Sequence, residues 1–228
     1  MVKLGRRAFL AGCAAQAACH AGPSMSEVPG RWLRWGGRWW MVRDGTTPAD
    51  PAMNRWARGR AAVSRHADTL RIETKTDARG PWGVELWTPL ALHEHITLAV
   101  DPHGDGLHPD DVLGLFLFRT GLCEVDIELT RWGHPTGPDV FHTGPDLASA
   151  GALDCSQQAS LHELRLSPTT VGLRSEGSGG VLTSTCSQGA CAQTRRILHI
   201  NLWRRDAVVR APTAASLRID FSREVAHG

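Results

Sequence analysis

Glu124 to Leu129 reads E-V-D-I-E-L, three carboxylates and three aliphatic side chains in strict alternation. An extended strand sorts such a pattern by face, so Glu124, Asp126 and Glu128 point one way and Val125, Ile127 and Leu129 the other. The aliphatic face predicts a packed layer beneath the strand. Just upstream, Val112 to Arg119 (V-L-G-L-F-L-F-R) is apolar on both faces and predicts a central strand, joined to the acidic one by a tight turn at Thr120-Gly121. Similar short runs occur at Arg38 to Arg43, Thr69 to Lys75, Trp82 to Trp87, Glu94 to Asp101, Asp139 to Thr143, Ser160 to Leu166, Thr170 to Ser175, Ile197 to Trp203 and Ser216 to Ser222. Ser175 to Gly180 reads as a loop. The 24 glycines and 13 prolines punctuate these runs, and scarcely any stretch has a helical period. The pattern predicts an all-β sandwich or jelly roll of about a dozen strands in one large domain.

The spacing of the acids has chemical content. The Cα atoms of Glu124 and Glu128 lie roughly 13 Å apart on a regular strand, and side chains leaning inward bring the carboxyls to about 5 to 6 Å. Retaining glycosidases need that separation, so that one carboxylate attacks the anomeric carbon while the other acid protonates the leaving oxygen. Three like charges on one stripe also raise one another's pKa, which a general acid working at neutral pH requires. Taken alone, the triplet also fits a half-buried strand with a solvated outer face.

Composition narrows the field. The net charge of +2 gives no support to a nucleic-acid partner, and the 23 arginines against 2 lysines read as coding bias. Nine tryptophans beside no tyrosine are unusual; some are expected in the core, and several are expected as flat platforms of the kind on which sugar rings stack. Residues 1–21 read as an export signal: a basic start, G-R-R-A-F-L-A-G resembling a twin-arginine signal, and small apolar residues up to Ala21. Cys13 and Cys19 are candidate lipid-anchor positions, Cys13 within a lipobox-like L-A-G-C. No other stretch is long and apolar enough to span a bilayer. Export permits disulfides among Cys123, Cys155, Cys186 and Cys191, with three pairings open, and Cys186 with Cys191 brackets a short segment.

Several stretches together resemble glycoside hydrolase family 16, the group of lichenases and laminarinases. They are V-L-G-L-F-L-F-R-T-G-L-C-E-V-D-I-E-L-T-R-W-G-H-P from Val112, Asn54-Arg55-Trp56, Gly83-Val84-Glu85-Leu86, the segment His162 to Gly177 with Pro168, Val171 and Ser175, and Ile200-Asn201-Leu202-Trp203. The match runs from about Trp39 to Val225. It implies a concanavalin A-like β-jelly roll of two curved antiparallel sheets over residues 22–228, and retaining endo-hydrolysis of a β-linked polysaccharide. Carried over by position, Glu124 would be the nucleophile, Asp126 its assistant and Glu128 the general acid and base. Leu166 stands where the family pattern has Trp, and Trp87 replaces a polar residue, so substrate identity is less secure than chemistry.

The substrate contacts implied are Asn54, Glu85, Trp132, His142, Asn201 and Trp203. Each has an ordinary alternative: a turn cap for Asn54, a solvated strand residue for Glu85, a loop start for Trp132, a satisfied structural histidine for His142, and a core Trp beside a turn Asn for Trp203 and Asn201. No metal or cofactor is expected. His93-Glu94-His95 reads as exposed edge residues, and the Asp-rich stretch Asp101 to Asp111, where some relatives hold calcium, lacks a ligand pattern. The expectation is an exported monomer (periplasmic, at the cell surface or extracellular) acting on a polysaccharide, with a non-catalytic, lectin-like sandwich as the alternative.

Overall fold

In a computed structural model, the structure describes residues 30–49, 54–56, 63–91, 93–118, 124–187, 196–205 and 211–223. They form eighteen strands and no helix: β1 (Gly30–Trp35), β2 (Arg38–Arg43), β3 (Gly45–Ala49), β4 (Asn54–Trp56), β5 (Val63–His66), β6 (Thr69–Glu73), β7 (Lys75–Asp77), β8 (Gly80–Leu90), β9 (Glu94–Pro102), β10 (Asp111–Phe118), β11 (Val125–Leu129), β12 (Val140–Gly144), β13 (Leu147–Gly151), β14 (Ser160–Leu166), β15 (Thr170–Gly177), β16 (Gly180–Ser187), β17 (Arg196–Arg204) and β18 (Ala214–Arg223). One sheet runs β1-β2-β8-β17-β10-β11-β12-β13, with β3, β4 and β7 attached beside β8; the other runs β16-β15-β14-β9-β18-β6-β5. All pairings are antiparallel except the short β4–β8 contact.

Alternation builds the core. Leu86, Leu113, Leu115, Ile127, Leu198 and Ile200 of the larger sheet pack against Leu70, Ile96, Leu98, Leu164, Leu173 and Leu217 of the smaller, all essentially buried. The opposite parity of the larger sheet carries the polar and aromatic side chains described below, so the acids and the core are two faces of one pleat. In contrast, β9 alternates buried and half-buried positions cleanly, as a strand with one wet face does.

The strand count exceeds the sequence expectation because hairpins of small or polar residues give little hydrophobic signal. Ser175 to Gly177, expected in a loop, ends β15, and Gly180 at φ 133° begins β16. Trp35-Gly36-Gly37-Arg38 closes β1 on β2 with a two-residue turn in which both glycines have positive φ, 56° and 73°. A Cβ on Gly36 would lie 2.4 Å from Ile219 Cγ2, so the close approach of the smaller sheet adds a second reason for glycine there.

A polar chain crosses between the sheets. Ser184, His142, Ser175, His162 and Ser160 are linked in that order by shared hydrogen bonds of 3.1, 2.9, 2.9 and 2.9 Å. Burial pushes the two imidazoles down, to about 4 for His142 and about 3 for His162, the latter helped by the neighbouring His142. His142 is therefore a neutral residue of the interior. The expectation that it contacts substrate is corrected here: it pairs with Ile127, not with the acids, and shares the inward parity of Val140.

A second fastening, within the larger sheet, is ionic. Arg204, at the end of β17, donates to both carboxylate oxygens of Asp111 at 2.7 and 3.1 Å, and to Ala211 O at 3.2 Å, with both side chains about 1 % exposed or less. Among the described residues, Cys155 and Cys186 are buried free thiols. Cys123, Cys191 and the signal-like residues 1–21, with Cys13 and Cys19, lie outside the described residues.

Candidate active site

Register, not proximity in sequence, assembles the outer face of the larger sheet. One cross-strand row runs Glu85–Asn201–Gly114–Glu128–Phe141 over β8, β17, β10, β11 and β12. The adjacent row runs Trp87–His199–Phe116–Asp126–Thr143 over the same strands. Glu124 directly precedes β11 and continues the acidic stripe. Residues directly opposite in antiparallel strands share a face, so the three acids, Glu85, Asn201 and His199 all stand on the side away from the core.

The acids are not free surface carboxylates. Glu128 is buried and Glu124 and Asp126 half-buried. Burial, followed by the charge of Glu85, pushes Glu124 up to about 7. Asp126 is raised well above the ordinary aspartate range by burial and then by Glu124 and Glu128, although Thr143 Oγ1 donates to its Oδ2 at 2.7 Å. The middle acid therefore takes up a proton more readily than an ordinary aspartate, which relieves the repulsion on the stripe.

Glu85 is the counterweight. Burial works against its charge, but the His199 Nδ1–H at 3.0 Å and the Arg43 guanidinium at 2.8 Å hold it below the usual carboxylate range. It stays ionised beside Glu124 and helps keep that group's pKa high. His199 lies stacked on Phe116 at 4.8 Å, and its Nε2 is buried without a hydrogen-bond partner among the described residues. Sequence reasoning missed His199, Arg43 and Thr143. The parity of His199 with Asn201 was visible, but its union with Glu85 depends on pairing across 114 residues.

Asn201 lies across β10, where its Oδ1 accepts the Gly114 N–H at 3.1 Å. A Cβ on Gly114 would come within 2.6 Å of that oxygen, so glycine clears the space. Trp203 packs with Trp56 and Val112 in a small cluster separate from the main core, and Trp132 meets it edge-on at 6.3 Å and Phe141 at 6.4 Å. Trp132 does not continue the strand parity. The strand ends at Leu129, and Trp132 sits in a turn at φ 50° with its N–H donated to Thr130 Oγ1, which swings the indole back against Trp203.

Asn54 departs most from its expected place. It is fully buried; its Nδ2 donates to Arg204 O at 2.7 Å and its Oδ1 accepts the Arg204 N–H at 3.2 Å. The substrate-contact expectation is corrected: this amide ties β4 to the end of β17, beneath the aromatic cluster. In the Asp-rich stretch, Asp110 pairs with Arg205 and His108 and Asp111 with Arg204; no group of three or more metal-ligating side chains occurs among the described residues.

Because Glu124 holds a proton that the unfolded chain releases near 4.5, its contribution to stability is full below pH 4.5 and is lost as pH rises through about 7. Glu124→Gln is expected to be more stable than the wild type at pH 8 by on the order of 2 kcal/mol, with the gain shrinking toward zero near pH 4.5. Urea unfolding at both pH values checks this, and a gain independent of pH would contradict the environment described for Glu124.

No protein-family model matches the chain, and no curated protein matches it by sequence. Solved structures do match. A Bacillus licheniformis β-glucanase superposes with a TM-score of 0.64 at 15% identity, covering 87% of this chain and 97% of its own. A prokaryotic β-1,3-1,4-glucanase (lichenase) from a mouse hindgut metagenome gives 0.59 at 14%, covering 81% and 92%. An immunostimulatory antigen of Mycobacterium tuberculosis, described as a pseudo β-1,3-glucanase, gives 0.58 at 14%, covering 81% and 91%. The chain therefore has the two-sheet β-jelly-roll fold shared by these β-glucanase structures.

Proposed function

We propose that the protein is an exported retaining endo-β-glycosidase that cleaves a β-linked polysaccharide of the β-glucan class by double displacement. The observation that carries this reading is the stripe of half-buried Glu124 and Asp126 and buried Glu128 on the outer sheet face, with Glu124 and Asp126 both raised and Glu85 held ionised beside them. In the first step the Glu124 carboxylate bonds to the anomeric carbon as the glycosidic C–O bond breaks, and Glu128 gives its proton to the departing oxygen. In the second, Glu128 takes a proton from water, whose oxygen displaces Glu124 and restores the original anomeric configuration. Asp126, whose carboxyl is raised between them, favours a shared proton on the stripe over three charges. Glu85 and Asn201 bind sugar hydroxyls, and Trp203 with Trp132 borders a sugar ring.

Soluble β-glucans incubated with the protein are expected to gain reducing ends, and proton NMR of the first product should show the β-anomer before mutarotation. An α-anomer first would overturn the retaining mechanism. The pseudo-glucanase among the structural neighbours gives a specific reason to test a second reading, a carbohydrate-binding protein on the same sheets. Binding of β-glucan without cleavage would select it. The signal-like residues 1–21 support export, and appearance of the chain outside the cytoplasm of a bacterial host when it is expressed with residues 1–21, but not without them, would test it.

A further inference from the structure

Exposed aromatic surface is concentrated at one edge of the larger sheet. Among the described residues the exposed large apolar side chains are Trp32 (58%), Trp39 (59%) and Val181 (53%), and both indoles belong to the β1–β2 hairpin. They share a face. Leu33 and Trp40 pair and point to the core, whereas Trp32 pairs with Met41 and Trp39 with Arg34 on the opposite side. Trp32 and Trp39 thus occupy diagonal positions, about 7 to 8 Å apart.

That side is the face of the acids. Trp32 pairs with Met41, Met41 with Trp87, Trp87 with His199, His199 with Phe116, and Phe116 with Asp126. A single cross-strand row therefore joins the hairpin to the middle of the acidic stripe. It spans five strand-to-strand steps of about 4.8 Å, or roughly 24 Å. Along it, the rings of Trp87 and His199 lie 5.9 Å apart and those of His199 and Phe116 4.8 Å apart, while Met41 and Phe116 keep part of their surface open. The row is largely apolar, with Trp87 and His199 buried within it, and it ends on two indoles that the described residues leave exposed.

We propose that Trp32 and Trp39 form a remote sugar-stacking platform, which holds the same β-linked polysaccharide chain several units away from the bond cleaved at Glu124 and Glu128. This deepens the hydrolase reading and rests on it. The apolar faces of pyranose rings fit exposed indoles, and a polymer that crosses the strands above this row, over the buried Trp87 and His199, reaches the hairpin and the acids at once. Short oligosaccharides reach only the acids. The platform thus makes the protein selective for long chains.

The test uses Glu124→Gln as a non-cleaving background and the soluble β-glucan that the wild type cleaves, with a trisaccharide of the same linkage as the short probe. Adding Trp32→Ala and Trp39→Ala together is expected to weaken polysaccharide binding, measured by calorimetry, by about tenfold or more, and to leave trisaccharide binding unchanged. Equal loss on both probes, or no loss on the polymer, would overturn the platform and leave the hydrolase reading standing. A concentration-dependent dimer that the double substitution dissolves, with polymer affinity unchanged, would assign the indoles to a second copy of the chain instead. If the protein neither binds nor cleaves any β-glucan before the tryptophans are changed, both the hydrolase reading and the platform fail.

Discussion

Glu124→Gln and Glu128→Gln are each expected to lower kcat/KM on β-glucan by at least about a thousandfold while circular dichroism stays that of the wild type. The two losses should differ in kind. With a substrate whose aglycone departs without a proton, such as a dinitrophenyl glycoside, Glu128→Gln regains a burst of released phenolate because bond breaking no longer needs its acid. Glu124→Gln gains nothing, because the bond-forming carboxylate is gone. The pH profile adds a third mark. Glu124 must be ionised to attack and is raised to about 7, so wild-type kcat/KM should fall as pH drops below that value, since this parameter reports the free enzyme. Full activity in either variant would exclude the double-displacement reading.

Asp111→Ala is expected to lower stability by about 3 to 5 kcal/mol, a large part of the total for a domain of this size. Arg204 would be left as a charged guanidinium among buried groups, with Thr213 and the Ala211 carbonyl as partial partners. Its backbone is clamped by Asn54, so the side chain has little freedom to escape to solvent. Arg165→Ala is the internal comparison. Its pair with Glu163 lies at the surface, with the Arg165 side chain 59% exposed, and its loss should change stability by no more than about 1 kcal/mol. Urea midpoints for the two variants check both values, and similar losses would refute the distinction.

Much of the architecture was legible because it lies in local alternation. β2 and β14 begin and end as their sequence patterns predict, and the E-V-D-I-E-L parity places acids and core on opposite faces. Strands without an apolar stripe escaped. β13 (L-A-S-A-G) alternates only between half-buried and exposed, so its place beside β12 comes from pairing with a neighbour rather than from hydrophobic period. The W-G-G-R turn between β1 and β2 carried a hairpin signal of its own. At the site, parity was legible and partnership was not. The alternation of Asp139 to Thr143 already puts His142 on the side of Val140, facing inward, and a resemblance suggested the reverse. Asn54 could not be placed from its own segment, since both of its partners lie on the main chain of a residue 150 positions away.

The order of strands has a kinetic consequence. β17 lies between β8 and β10, and β18 between β9 and β6, so late segments of the chain form the middle of both sheets. Until residue 204 is synthesised, β8 and β10 have no shared neighbour and Glu85 cannot meet the acidic stripe. The pairings at the middle of both sheets join distant partners, which predicts slow refolding on the scale of milliseconds to seconds. Nascent chains lacking β17 and β18 would expose the edges of β8, β10, β9 and β6, a state prone to self-association.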